Sequence, residues 1–133
     1  MAVIESAPRG GLAETVAGKS RVLILRNGEI ERFEDTHRGI FEVWDGFMGH
    51  GAKPGLSEVR DLVALGLVGG GLTDKVAASV MRDLGPDQAR DLYQIAQALV
   101  GVALTPDLSM PDEDPKEDPD DEKKNMSAPA TGM

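Results

Sequence analysis

Apolar side chains recur at helical spacing from residue 36 to residue 104, and glycine or proline cuts the pattern into short pieces. Each piece is too short to stand alone in water, so each must bury its stripe against a neighbour. The first piece covers 36–50, where Ile40, Phe41, Val43, Trp44, Phe47 and Met48 fall at i, i+3, i+4 and i+7. Asp35 or Thr36 can cap it, while Gly39, Gly46 and Gly49 each weaken it by roughly 1 kcal/mol relative to Ala. The second covers 57–68, with Ser57 as N-cap, Glu58 in the first turn and a stripe of Val59, Leu62, Val63 and Leu67. Gly69-Gly70-Gly71 stops it. The third runs from a Thr73 cap to Leu84 on Val76, Ala77, Val80 and Met81, with Gly85 as a left-handed C-terminal cap. Pro86 opens the fourth, which carries Leu92, Tyr93, Ala96, Leu99 and Val100 through to Leu104.

Upstream, 19–34 reads as a β-hairpin. Val22-Leu23-Ile24-Leu25 is an apolar, β-rich run, and Asn27-Gly28 is a strong hairpin-turn signal because both residues tolerate positive φ. Ile30 and Phe33 sit three apart on the expected return strand, so strict alternation fails there. Two strands are marginal alone, so the hairpin must pack on the helices. Residues 1–18 are rich in Ala and Gly without a sustained period and read as a flexible leader.

Residues 105–133 differ in kind. They hold nine acidic and three basic residues, −6 of the chain's net −9, and leave the rest near −3. A segment so charged and so poor in apolar groups cannot offset its ordering entropy, which predicts a disordered acidic tail. The expected architecture is therefore mainly α (α+β): an N-terminal hairpin on a bundle of about four helices (19–104), between a leader (1–18) and a tail (105–133). Phe41, Trp44, Phe47 and Leu99 are the expected core, centred on Trp44. The aromatic stripe Phe41–Trp44–Phe47 admits a second reading, as a face left open for a partner. A core built from about 85 residues gives stability of only a few kcal/mol, which makes self-association or a partner plausible.

The acidic balance argues against nucleic acid and against an anionic membrane surface. No apolar run reaches the roughly 18 residues needed to span a bilayer, and the start of the chain lacks a signal-peptide core. With no cysteine, disulfides, thiol nucleophiles and thiolate metal sites are excluded, and a cytoplasmic location is expected.

The candidate chemistry is sparse. His37 and His50 are 13 residues apart, roughly 20 Å along one helix, too far to share a metal. Asp112, Glu113, Asp114, Glu117, Asp118, Asp120, Asp121 and Glu122 lack the defined turn and glycine of a calcium loop. Gly69-Gly70-Gly71 is followed by Thr73-Asp74-Lys75 rather than the Gly-Lys-Ser/Thr of a phosphate loop, and reads as a connection between helices. Glu42 and Asp45 read as a solvated helix face, and Ser57 and Thr73 as caps. The expectation is no catalytic residue, no metal and no cofactor.

The order of elements and the segments Val22-Leu23-Ile24-Leu25-Arg26-Asn27-Gly28-Glu29, Gly39-Ile40-Phe41-Glu42-Val43-Trp44, Leu56-Ser57-Glu58-Val59-Arg60-Asp61-Leu62 and Gly66-Leu67-Val68-Gly69-Gly70-Gly71-Leu72 resemble the small tail protein family of gene transfer agents and prophages. The resemblance covers about two-thirds of the chain. It implies a role in tail morphogenesis, most simply a tail assembly chaperone that holds the tape measure protein while tail tube subunits polymerise around it. The alternatives are a structural tail component and, outside that family, an acidic adaptor or regulatory protein acting through the tail.

Overall fold

The computed structural model describes residues 7–108. The predicted disorder of the acidic tail therefore falls, from residue 109 onward, outside the described residues. Strand β1 (Gly11–Val16) pairs antiparallel with β2 (Lys19–Ile24), in a register running from Gly11↔Ile24 to Val16↔Lys19. Five helices follow: α1 (Asn27–Thr36), α2 (Ile40–Phe47), α3 (Leu56–Gly69), α4 (Asp74–Arg82) and α5 (Ala89–Leu104). Short 3-10 turns at Pro86–Gln88 and Pro106–Leu108 flank α5. The fold is mainly helical with a hairpin packed on the bundle, as the sequence predicts. No helix among the described residues is long and apolar enough to cross a membrane.

The hairpin lies earlier than the sequence predicts. Its turn is Ala17-Gly18, both at positive φ (53° and 80°), which matches the twist of the flanking strands. Residues 11–18 are thus part of the domain rather than a leader, and 19–34 is a strand followed by a helix. Asn27-Gly28 opens α1 instead of turning a hairpin. The three-residue spacing of Ile30 and Phe33 is helical spacing, and it buries Phe33 while half-burying Ile30. Glu29 secures the helix start, its carboxylate accepting a hydrogen bond from the Arg26 backbone N–H at 2.9 Å.

Helix caps differ from expectation in the same way. Asp35 and Thr36 end α1 rather than starting α2, and Gly39 is the α2 N-cap. The Ile40 N–H at that start donates to the Glu34 carboxylate at 2.7 Å. For α3 the cap is Gly55, whose N–H donates to Glu58, and Ser57 lies inside the first turn. Thr73 does cap α4, its hydroxyl accepting from the Val76 N–H. That helix ends at Arg82, and Gly85 is not left-handed, so it precedes a 3-10 turn instead of closing α4.

The core centres on α3 and α5 rather than on Trp44. Leu62, Val63 and Leu67 of α3 meet Leu99 and Val100 of α5, with Leu23, Phe33 and Val43 closing the sides, all essentially inaccessible. Phe47 and Leu99 are buried as expected. Trp44 is only half-buried, and Phe41 is 71% exposed. Helix α2 turns Ile40, Val43 and Phe47 inward. At about 100° per residue, Phe41 then stands roughly 100° from Ile40 and 160° from Val43. A single helix face cannot bury the full width of the predicted stripe. Val76 on α4 is left outside for the same reason.

The hairpin seats on α3 through glycine. A Cβ at Gly69 would lie 1.9 Å from the Ile24 carbonyl oxygen, and one at Gly70 would lie 1.9 Å from that of Val22. A Cβ at Gly66 would meet Leu99 at 2.6 Å and Leu23 at 3.2 Å. The strand backbone therefore lies directly on the α3 terminus, with glycine Cα–H groups facing its carbonyls. Arg26 adds a guanidinium hydrogen bond to the Gly69 carbonyl at 3.1 Å. Gly70→Ala is expected to destabilise the domain by about 2–4 kcal/mol, since the backbone of β2 must move. Gly28→Ala, in open space within the first turn of α1, should instead be neutral or stabilising by up to about 1 kcal/mol. Urea unfolding of both variants checks the contrast, and similar midpoints would refute the seating argument.

Candidate functional site

The polar residues singled out from the sequence do not converge. His37 lies between α1 and α2. Its ring is largely covered, with Nε2 2.7 Å from an Asp61 carboxylate oxygen and the ring 4.7 Å from that of Phe33. It is thus a bridge from the end of α1 to α3. His50 is exposed in the loop after α2. Glu42 and Asp45 lie on the open face of α2, Ser57 is exposed, and Thr73 serves its helix. Among the described residues no three His, Cys, Asp or Glu side chains are placed to hold a metal ion. The carboxylates from 112 to 122 lie outside the described residues.

What the sequence reading missed is a set of arginine cross-links. Arg38 forks onto the Glu58 carboxylate at 2.9 and 3.3 Å and also donates to the Ala52 carbonyl, tying the α1–α2 loop to α3. Arg60 donates to the carbonyls of Met81 and Leu84 at 2.6 and 2.8 Å, satisfying the C-terminal end of α4. Arg32 pairs with Asp74 across α1 and α4, and Arg9 with Asp107 across the two ends of the described chain. No short motif announces such ties, because their partners are 14 to 98 residues away in sequence.

Among the described residues, two larger hollows lie between packed elements, apart from an open one of about 290 Å³ at Lys53, Arg90 and Tyr93. One, of about 280 Å³, lies between α1, α3 and α4 over Phe33, Ala64 and Val68, and the Arg32–Asp74 pair stands at its edge. The other, of about 500 Å³, lies between the hairpin tip and α5, with Glu14 and Asp91 as its ionisable groups. Neither brings a histidine, a lysine or a hydrogen-bonded nucleophile–base pair into the hollow.

The surface that departs most from an ordinary solvated one is α2. Phe41 and Met48 are 71% and 48% exposed, seven residues apart and so within roughly 20° of each other around the helix. Trp44 lies beside them, half-buried, its ring 3.0 Å from where a Cβ at Gly101 of α5 would stand. The Met48 sulfur is 3.9 Å from the Gln97 amide nitrogen of α5. Phe41, Trp44 and Met48 therefore form one apolar ridge beside α5, while Asp45 and Glu42 line its other flank. The chain matches no protein-family model, no curated protein and no solved structure.

The Arg38–Glu58 tie generates a pH dependence. Burial is the largest single influence on Glu58 and pushes its pKa up. The Arg38 hydrogen bond, the Gly55 N–H and the charges of Arg38 and His37 together outweigh it, and the carboxyl titrates below its ordinary 4.5. A folded-state pKa below the unfolded one adds stability that is fully present above pH 4.5 and is lost as pH falls through the lowered value. Glu58→Gln should flatten the acid side of a plot of urea midpoint against pH. Arg38→Met should cost about 1–3 kcal/mol at pH 7, because it strands a mostly covered carboxylate. An acid limb unchanged in Glu58→Gln would show that other groups carry it.

Proposed function

We propose that this chain is a non-catalytic tail assembly chaperone of a phage-like particle, acting in the cytoplasm to hold the tape measure protein while tail tube subunits assemble around it. The observation that carries the reading is the ridge on α2. Three large apolar side chains sit together on α2 and its C-cap residue Met48, and two of them face solvent although the core has its own complete set. Solvent-facing clusters of this kind mark protein interaction sites. The resemblance of segments 22–29, 39–44, 56–62 and 66–72 to the small tail proteins of gene transfer agents and prophages supplies the setting.

The architecture favours a chaperone over a tube subunit. Tail tubes are built from many-stranded β-sandwich or barrel subunits whose sheets join around a ring. The described residues contain one two-stranded sheet, and the Gly69–Gly70 end of α3 sits on the carbonyls of its β2 strand. A holdase needs no reacting groups. It needs an apolar surface that a client covers and then leaves, and enough net charge to keep the complex dissolved.

Mass spectrometry of purified tailed particles, with the parent lysate as reference, tests the proposal. Abundance in the lysate with absence from finished particles is the expected result. Many copies per particle would make the chain a structural tail component and overturn the chaperone reading.

A further inference from the structure

The charge around the α2 ridge narrows what can cover it. Residues 27–50 carry Glu29, Glu31, Glu34, Asp35, Glu42 and Asp45 against Arg32 and Arg38, a net of −4. The rest of the described chain nets about +1, with eight acidic and nine basic residues. Both arginines of the acidic segment are engaged on other elements, Arg32 with Asp74 of α4 and Arg38 with Glu58 of α3. Asp45 beside the ridge makes no side-chain ion pair or hydrogen bond among the described residues, and Glu42 reaches Arg38 only through longer-range attraction. The ridge is thus apolar with the unpaired carboxylates of Glu42 and Asp45 on one flank, while Lys53 stands over Tyr93 at the Phe47 end of α2.

Three occupants are conceivable, and charge separates them. A second copy would bring two acidic flanks together. The chain's own residues 109–133 carry eight acidic and three basic side chains, so they share the sign of the face. A partner with cationic side chains beside apolar ones meets no such repulsion. The ridge itself is helical in period, with anchors at i, i+3 and i+7 over roughly 10 Å, and runs beside α5 at Gln97 and Gly101. Such a ridge packs best into the groove of another helix.

We propose that the Phe41–Trp44–Met48 ridge of α2 docks an amphipathic helix of a partner protein that carries basic side chains along one edge of its apolar face. As the identity of a chaperone's client site this rests on the reading above, but the surface and its charge preference stand on geometry alone. Phe41 and Met48 supply the apolar contact. Glu42 and Asp45 select the cationic edge and reject anionic competitors.

The sole tryptophan, Trp44, lies in the ridge and reports its occupation. The full chain is titrated, in roughly 0.15 M salt, with two synthetic amphipathic peptides of roughly 15 residues. One has a leucine face edged with lysine, the other the same face edged with glutamate. The lysine peptide is expected to give a saturable Trp44 fluorescence change and to gain helical circular dichroism. The glutamate peptide should bind at least about tenfold more weakly. Phe41→Ser, at an exposed site where the fold is retained, should weaken the lysine peptide by about tenfold or more. The double variant Glu42→Lys, Asp45→Lys should shift preference toward the glutamate peptide. Lysine-peptide binding unchanged in Phe41→Ser would place the peptide on the acidic segment beyond residue 108 and overturn the proposal. Equal binding of both peptides would overturn the charge selection. Concentration-dependent dimerisation abolished by Phe41→Ser would make a second copy the occupant and overturn it as well. If the peptide results hold while the protein is found in finished particles, the ridge stands and the chaperone reading falls.

Discussion

The domain depends on one close approach, where the backbone of β2 lies on the C-terminal turn of α3. A hairpin of two strands has little stability of its own. It gains it here because Gly66, Gly69 and Gly70 remove every Cβ that would hold the strand away, which lets Leu23 sink fully between α3 and α5. The same turn supplies the Gly69 carbonyl to Arg26, at the junction between β2 and α1. The direction in which α1 leaves the sheet is thereby set. Phe33 then closes the core, and the α1–α2 loop arrives where Arg38 can reach Glu58 and His37 can reach Asp61.

Much of this order was legible in the sequence, and the parts that were not share a cause. Helices α3 and α5 are long, with apolar stripes that repeat for several turns, and the structure places them close to the expected bounds. The hairpin was foreseen as an element but displaced, because Asn27-Gly28 is a strong local turn signal and Ala17-Gly18 a weak one. Tertiary burial of Phe33 decided the matter in favour of a helix. The Gly69-Gly70-Gly71 run read as a plain connection between helices, since nothing local says that a strand some 45 residues earlier will rest on it. The arginine ties were invisible for the same reason. Period and turn chemistry are local, while close backbone approach and guanidinium reach are not.

The candidate surface was legible in outline only. Phe41, Trp44 and Phe47 stood out as an aromatic stripe, with core and partner face as competing readings. The structure divides them. Phe47 is buried edge-on against Tyr93, Trp44 straddles the boundary, and Phe41 faces solvent. The division follows from angle around α2, which turns Ile40, Val43 and Phe47 to the core and leaves Phe41 roughly 100° or more from each of them. Helix spacing alone cannot say where around the cylinder the neighbours stop.

Charge placement explains how so apolar a ridge can be carried on a small acidic domain. Arg32 and Arg38, the two arginines of residues 27–50, are engaged in ties to α4 and α3, so their positive charge serves to join elements. The carboxylates of Glu42 and Asp45 give the ridge a flank of one sign, which disfavours a second copy on the proposed docking face. An apolar cluster with a neutral or mixed flank would bind its own kind. With a flank of one sign it stays available, and the partner that covers it must bring the opposite sign. Retention of exposed Phe41 and Met48 beside unpaired Asp45 is therefore one arrangement seen from two sides: the contact surface and the charge that guards it until a cationic helix arrives.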